Sequence, residues 1–301
     1  MSTSSRPDAR MSRRRKFDDE LDDGFHVKNA HPSARSSHPT TDPTDDDTAW
    51  SSYTDALHGP SPVPPWVITD ASAIDDDRGV LKTGKEAEVS LLARHHEPTG
   101  RVNLLAAKRY RELDHRLFHR DAGYLEGRRV RRSRESRAMA NRTSFGRELL
   151  AGQWASAEFA VLARLWSADV AVPYPVQLAG TELMMEFIGD DDGTAAPRLA
   201  ETRPDPTQSA ELYEQCRAAL IDLAAAGFTH GDLSPYNVLV QRGRLVLIDL
   251  PQAVDLVGNP QGFAYLTRDC ENICAWFAAR GVDAARADEL EQRLLQEVPG
   301  A

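Results

Sequence analysis

The stretch that begins at His230, "HGDLSPYNVLVQRGRLVLID", limits what this chain can fold into more than any other. Asp232 and Asn237 stand five positions apart on a turn that runs into a short apolar strand at residues 238–240. A hairpin turn at Gly243 follows, and the partner strand "LVLID" carries Asp249 at its end. Such a hairpin brings three oxygen-bearing side chains to one rim. Asp often does no more than cap a turn, and a single Asp here would be read that way. Capping does not ask for two carboxylates and a carboxamide to converge beside an apolar hairpin. Hard divalent cations prefer oxygen ligands and keep phosphate or water as further ligands. Asn237 and Asp249 suit that role, and Asp232 is placed to accept a proton from an attacking hydroxyl. That is the division of labour used in phosphoryl transfer.

A triphosphate in such a site needs a cation from the far wall of the cleft. Residues 80–82, 87–94 and 104–110 read as three strands of an antiparallel meander, and Lys108 lies on the third, after apolar residues. A lysine there is ordinarily a surface charge. The next helix changes that reading. Leu149, Leu150, Trp154, Ala157, Val161, Leu162 and Leu165 recur at spacings of three and four, the mark of an amphipathic helix. Glu158 sits among them. A carboxylate on an apolar face is costly unless paired, and Lys108 is the available partner. The pair would aim the lysine at phosphate. Thr83-Gly84-Lys85 joins the first two strands above the cleft, so its backbone N–H groups and Lys85 are expected to cover the triphosphate. Gly84 and Lys85 carry weight only as part of this set, because the G-x-G-x-x-G spacing is absent.

Composition bounds the rest. With 301 residues, 41% of them hydrophobic, the chain can bury a sizeable core. Residues 1–62 hold few large apolar side chains and read as a disordered polar tail, without the apolar segment of a secretory signal. No apolar run approaches the length needed to span a bilayer. Cys216, Cys270 and Cys274 do not suggest a disulfide framework, and the last two read as buried helix residues. A cytoplasmic location follows. The net charge of −10 argues against a general nucleic-acid binder, yet residues 111–147 are dense in arginine. That segment reads either as a solvated loop or as a docking element for RNA or another polyanion. Two further strands, "PVQLAG" and "TELMMEFIG", are expected, with helices at about 209–225, 267–280 and 283–297.

Together these residues resemble the RIO family of atypical protein kinases. The resemblance rests on "KTGKEAEVS", on "MMEFIGDDDGTAAPRL" and on "HGDLSPYNVLV" with "LVLIDLPQAV", and it covers about residues 79–280. It implies an α+β, two-lobed protein-kinase-like fold, with an N-terminal antiparallel sheet plus helix and a short, mainly helical C-terminal lobe. The expected segments are the tail at 1–62, an N-lobe at 63–190 and a C-lobe at 191–301. By resemblance Lys108 contacts phosphate, with Glu158 as its partner. The backbone at Glu186 and Ile188 bonds the adenine, and Met185 is the gatekeeper. Asp232 is then the catalytic base, Asn237 and Asp249 are the metal ligands, and Asp249 doubles as an acceptor that forms an aspartyl phosphate. The implied cofactors are ATP and Mg²⁺ or Mn²⁺, and the implied activity is that of a Ser/Thr kinase or an ATPase switch. Family members are tied to small ribosomal subunit maturation.

Departures stand beside the matches. Gly231 replaces the Arg of the usual H-R-D, Leu250-Pro251 replaces Phe-Gly, and Glu88 stands where the family tends to have Asn. Few residues follow Asp249, too few for the peptide-binding helices of an ordinary kinase. Two other functions are therefore weighed. One is a small-molecule phosphotransferase resembling the aminoglycoside and choline enzymes, which share H-G-D-x-x-x-x-N. The other is a nucleotide-gated module that docks RNA or a ribosomal particle through the arginines from Arg128 to Arg137. Ser133, Ser136, Thr143 and Ser144 in that loop are candidate autophosphorylation sites.

Overall fold

The computed structural model describes residues 50–111 and 144–300. Alternating apolar residues build one six-stranded sheet from β1 (Leu57–His58), β2 (Ile74–Thr83), β3 (Ala87–His96), β4 (Arg101–Tyr110), β5 (Pro175–Ala179) and β6 (Glu182–Glu186). The order is β1-β5-β6-β4-β3-β2, and each neighbouring pair is antiparallel. β2 starts well before the expected residue 80. Its "IDDDRGV" run hides the strand, because register shifts at Asp77/Gly79 and Val80/Lys82 break the period-two pattern.

Helix α1 (Ser144–Ser167) covers one face of the sheet. Ala151, Ala155, Phe159, Leu162 and Leu165 are buried in a core shared with Leu178 and Leu183, and Glu158 lies on that same face. The other face is closed by residues 50–73. There Tyr53 and Val67 pack with Leu105, Ala107, Tyr174, Val176 and Met184 in a second cluster. The tail expected through residue 62 is therefore shorter at its far end. Residues 50–62 belong to the fold because Tyr53 is buried and β1 pairs with β5. Residues 1–49 of that tail, and 112–143 of the arginine-rich segment with Arg128 to Arg137, lie outside the described residues.

The second lobe contains α2 (Pro206–Ala225), β7 (Phe228–Thr229), the hairpin β8 (Val238–Gln241) and β9 (Arg244–Leu247), β10 (Val254–Asp255), α3 (Gly262–Ala278) and α4 (Ala287–Leu295). α2 begins earlier than its apolar spacing suggests. Pro206 opens the helix, Asp205 accepts from the Gln208 N–H, and the Gln208 side chain returns to the Asp205 N–H. The core here joins Leu220 and Leu223 to Leu266, Ile273 and Phe277 and to Leu290 and Leu294. Cys216, Cys270 and Cys274 are free and buried within it, as expected. The lobes meet through residues 187–196. A Cβ at Gly189 would lie 2.4 Å from the Thr194 carbonyl oxygen, so only glycine permits the bridge from Gly189 to Ala195. This is the expected two-lobed, protein-kinase-like α+β fold. Among the described residues no helix is long and apolar enough to cross a membrane.

Candidate active site

The β8–β9 hairpin sets the floor of the cleft. Val238 pairs with Leu247, and one step beyond that pair the Ile248 N–H donates to the Asn237 carbonyl at 3.0 Å. Asn237 and Asp249 are thereby brought together at the open end of the hairpin. Asp249 adopts a left-handed backbone with φ 63°. Non-glycine residues rarely do this, and such positions concentrate at functional sites. Asp232 is tied to the same end, because Asn237 Nδ2 donates to the Asp232 carbonyl at 2.9 Å. The expected trio converges.

Lys108 crosses from the sheet to meet it. Its Nζ donates to Glu158 Oε1 at 2.8 Å and to Asp249 Oδ1 at 2.9 Å. The Tyr110 hydroxyl holds the other Glu158 oxygen. The expected Lys108–Glu158 pair is present, and its extension to Asp249 was not expected. Burial alone would push the Lys108 pKa down, but the Asp249 and Glu158 carboxylates outweigh it and hold it well above the usual lysine range. Lys108 lowers the Asp249 pKa to about 2 against the opposing effect of burial, with smaller help from Lys82 and His230. Asp249 is thus fully ionised at neutral pH, while two-fifths of its side chain stays open. Asp232 behaves oppositely. The protein crowding its cleft side raises its pKa, and Asp249 and Asp269 add to this against His230 and Arg268.

A buried carboxylate that the motif reading missed holds the turn that carries Asp232. Asp269 of α3 accepts from the Thr229 hydroxyl at 2.7 Å, the Gly231 N–H at 2.7 Å and the Leu233 N–H at 2.9 Å. Arg268 donates to the Gly231 carbonyl and Asn272 to the Leu233 carbonyl. Gly231 takes φ 82°, which an arginine at that position would adopt only with strain. The departure at Glu88 also has a local use, since it accepts from Arg111 Nη2 at 2.6 Å and the Thr83 hydroxyl at 3.4 Å.

The covering turn differs from expectation. The Gly84 N–H closes the turn on the Ala87 carbonyl at 2.8 Å, so it is committed within the turn, and the Lys85 side chain is exposed. Lys82, one strand residue earlier, is the lysine whose field reaches Asp249 and Lys108. On β6, Met185 is half-buried opposite Ala106. The Glu186 N–H donates to the Tyr174 carbonyl, and the Ile188 carbonyl accepts from Ala196. Of the expected adenine contacts, the Glu186 carbonyl and the Ile188 N–H are therefore the groups left for a base.

Comparison with known proteins gives the same reading of the chain. The RIO domain family model matches residues 106–290. The RIO-type serine/threonine-protein kinase Rio1 of Haloferax volcanii is 36% identical over 211 residues, which are 70% of this chain and 66% of that protein. Serine/threonine-protein kinase RIO1 of Chaetomium thermophilum is 31% identical over 72% of this chain and 42% of its own length. Human RIO3 is 35% identical over 49% of this chain and 28% of its own. The chain thus spans about two thirds or less of the relatives it matches. From the bridged Lys108, Asn237 and Asp249 at the open end of one hairpin, and a family match over most of the fold, the chain belongs to the RIO domain family.

Proposed function

We propose that this chain is a Mg-ATP-dependent phosphotransferase that moves the γ-phosphoryl group of ATP to a protein serine or threonine hydroxyl, or transiently to Asp249 in an ATPase cycle. The observation that carries this is the bridge from Lys108 to both Glu158 and Asp249, directly beside Asp232 and Asn237. Lys108, kept charged by two carboxylates, is fitted to hold phosphate oxygens as a compact cation. Asp232, open to solvent and with a raised pKa, is fitted to take the hydroxyl proton near neutral pH. Asp249, ionised throughout, is fitted to act as ligand or as nucleophile.

The donor set suits a divalent cation. Lys108 uses Asp249 Oδ1, which leaves Oδ2, and the Asn237 amide nitrogen is turned to the Asp232 carbonyl, which leaves the amide oxygen. Two unengaged hard oxygens on side chains at the same end of the hairpin fit Mg²⁺ or Mn²⁺. Asn237 and Asp249 would hold such a cation, which would supply positive charge to the phosphates.

The relatives named as serine/threonine-protein kinases favour a protein acceptor over an aminoglycoside- or choline-like one. A cytoplasmic setting belongs to the same reading, supported by three free, buried cysteines. Docking of RNA or a ribosomal particle through Arg128 to Arg137 rests on the sequence alone. Its test is RNA affinity that falls steeply with salt and is lost when Arg128, Arg129, Arg131 and Arg132 are replaced.

ATP affinity measured with and without Mg²⁺ tests the main reading. Mg²⁺ should tighten ATP binding by the wild-type chain, and Asn237→Ala should lose most of that gain. ATP binding indifferent to Mg²⁺ in the wild-type chain would overturn it.

A further inference from the structure

Lys82 is a half-buried lysine that the motif set does not use. It pairs with Val89 of β3, and Val89 pairs with Lys108 of β4. Residues opposite one another on adjacent strands share a face, so Lys82, Val89 and Lys108 form one row on the cleft side of the sheet. With strands about 4.8 Å apart, the two lysine Cα atoms are roughly 10 Å apart. Both ammonium groups are subject to the charge of the same carboxylate, Asp249, yet only Lys108 is bonded to it.

Among the described residues the Lys82 ammonium has no hydrogen bond or ion pair of its own. The charges around it are two cations, Arg198 and Lys108, and one anion, Asp249. Burial is the largest influence on its pKa and lowers it, the two cations lower it further, and Asp249 only partly opposes them. Asp249 is already engaged by Lys108, and in the proposed reaction it is also the metal ligand. An ammonium held among cations, half out of water, with its nearest carboxylate committed elsewhere, lacks an anion. Lys85, at the tip of the same turn, is exposed and free of this constraint.

On the reading of the cleft as an ATP site, we propose that Lys82 is a further phosphate-binding residue, closing from β2 onto the terminal phosphate of the bound triphosphate. This assigns to a strand side chain the contact expected of the Gly84-Lys85 turn. It also makes Lys82 a determinant of selection for the triphosphate over the diphosphate, because the ammonium has no partner until a γ-phosphate is present.

The test is calorimetric binding of ATP, ADP and adenosine, with Mg²⁺, to wild type, Lys82→Met, Lys82→Arg and Lys108→Met. Lys82→Met should weaken ATP about tenfold or more, the usual worth of a charge-assisted hydrogen bond. It should leave adenosine unchanged and reduce the preference for ATP over ADP, and Lys82→Arg should restore that preference. The ligand-free Lys82→Met chain should melt no lower than wild type, since a poorly compensated charge has been removed. Two results overturn the proposal while the ATP site stands: Lys82→Met with the wild-type ATP-to-ADP ratio, or Lys82→Met losing adenosine and ATP by the same factor. If Lys108→Met also binds ATP as wild type does, the reading of the cleft fails and the role of Lys82 fails with it.

Discussion

Replacing Glu158 by Leu isolates what holds Lys108 in place. Glu158 is 2% exposed and accepts from Lys108 Nζ at 2.8 Å and from the Tyr110 hydroxyl. Removing one member of a buried ion pair costs about 3–5 kcal/mol, because the remaining charge is left uncompensated. Lys108 keeps Asp249 at 2.9 Å as a second partner, on a side chain two-fifths open to solvent. That places Glu158→Leu at the lower end, about 3 kcal/mol. For a fold of this size the melting temperature should drop by roughly 6–12 °C. In a Lys108→Met background no buried cation is stranded, and the same replacement should cost about 1 kcal/mol or less, giving a coupling of about 2 kcal/mol. Urea unfolding of wild type, both single variants and the double variant measures this directly. Equal costs of Glu158→Leu in the two backgrounds would refute the account of Lys108 as a charge buried by design.

The pair itself was legible because Glu158 interrupts an apolar helical spacing and Lys108 is the nearby lysine that can meet it. Asp232, Asn237 and Asp249 were legible for a similar reason: turn and hairpin chemistry places them within twenty residues of one another. The bond from Lys108 to Asp249 was not, since it joins residues 141 positions apart and depends on how the lobes close. Asp269 was missed because on a helix it looks like any solvated carboxylate, and only burial reveals the three donors it serves. The bond from Tyr110 to Glu158 leaves no mark in the sequence, because an aromatic at a strand end is ordinary. Lys82 was not legible as Lys85 was, since the bulge beside Lys82, which decides its facing, leaves no mark in the composition. Residues 50–62 looked polar on average, but the buried Tyr53 and the pairing of β1 with β5 anchor them on the sheet.

Asp269→Ala should strand three buried donors and cost about 3–4 kcal/mol, given about 1–3 kcal/mol for each unsatisfied group and incomplete additivity. A melting temperature within a degree or two of wild type would contradict the anchoring role. Because burial raises the Asp232 pKa, the acid limb of the kcat/KM profile, which reports the free enzyme, should lie above the usual aspartate range. A limb at or below that range would remove Asp232 as the titrating base. Asp249 has a depressed folded pKa of about 2 against 3.8, so its stabilisation is present above about pH 4 and is lost as pH falls toward 2. After discounting for its exposed oxygen the contribution is about 1 kcal/mol. The stability gap between wild type and Asp249→Asn should therefore close over that window, and a gap constant with pH would count against the ion pair.

A single-turnover reaction with γ-labelled ATP and Mg²⁺, on wild type, Asp232→Ala and Asp249→Asn, tests phosphoryl transfer at this cleft most directly. The label is followed on the chain and on an added acceptor protein, then checked for acid stability and for release by hydroxylamine. Wild type should become labelled, acid-stable label should vanish in Asp232→Ala, and hydroxylamine-labile label should vanish in Asp249→Asn. Undiminished labelling in both variants, with their folds intact, would contradict the account.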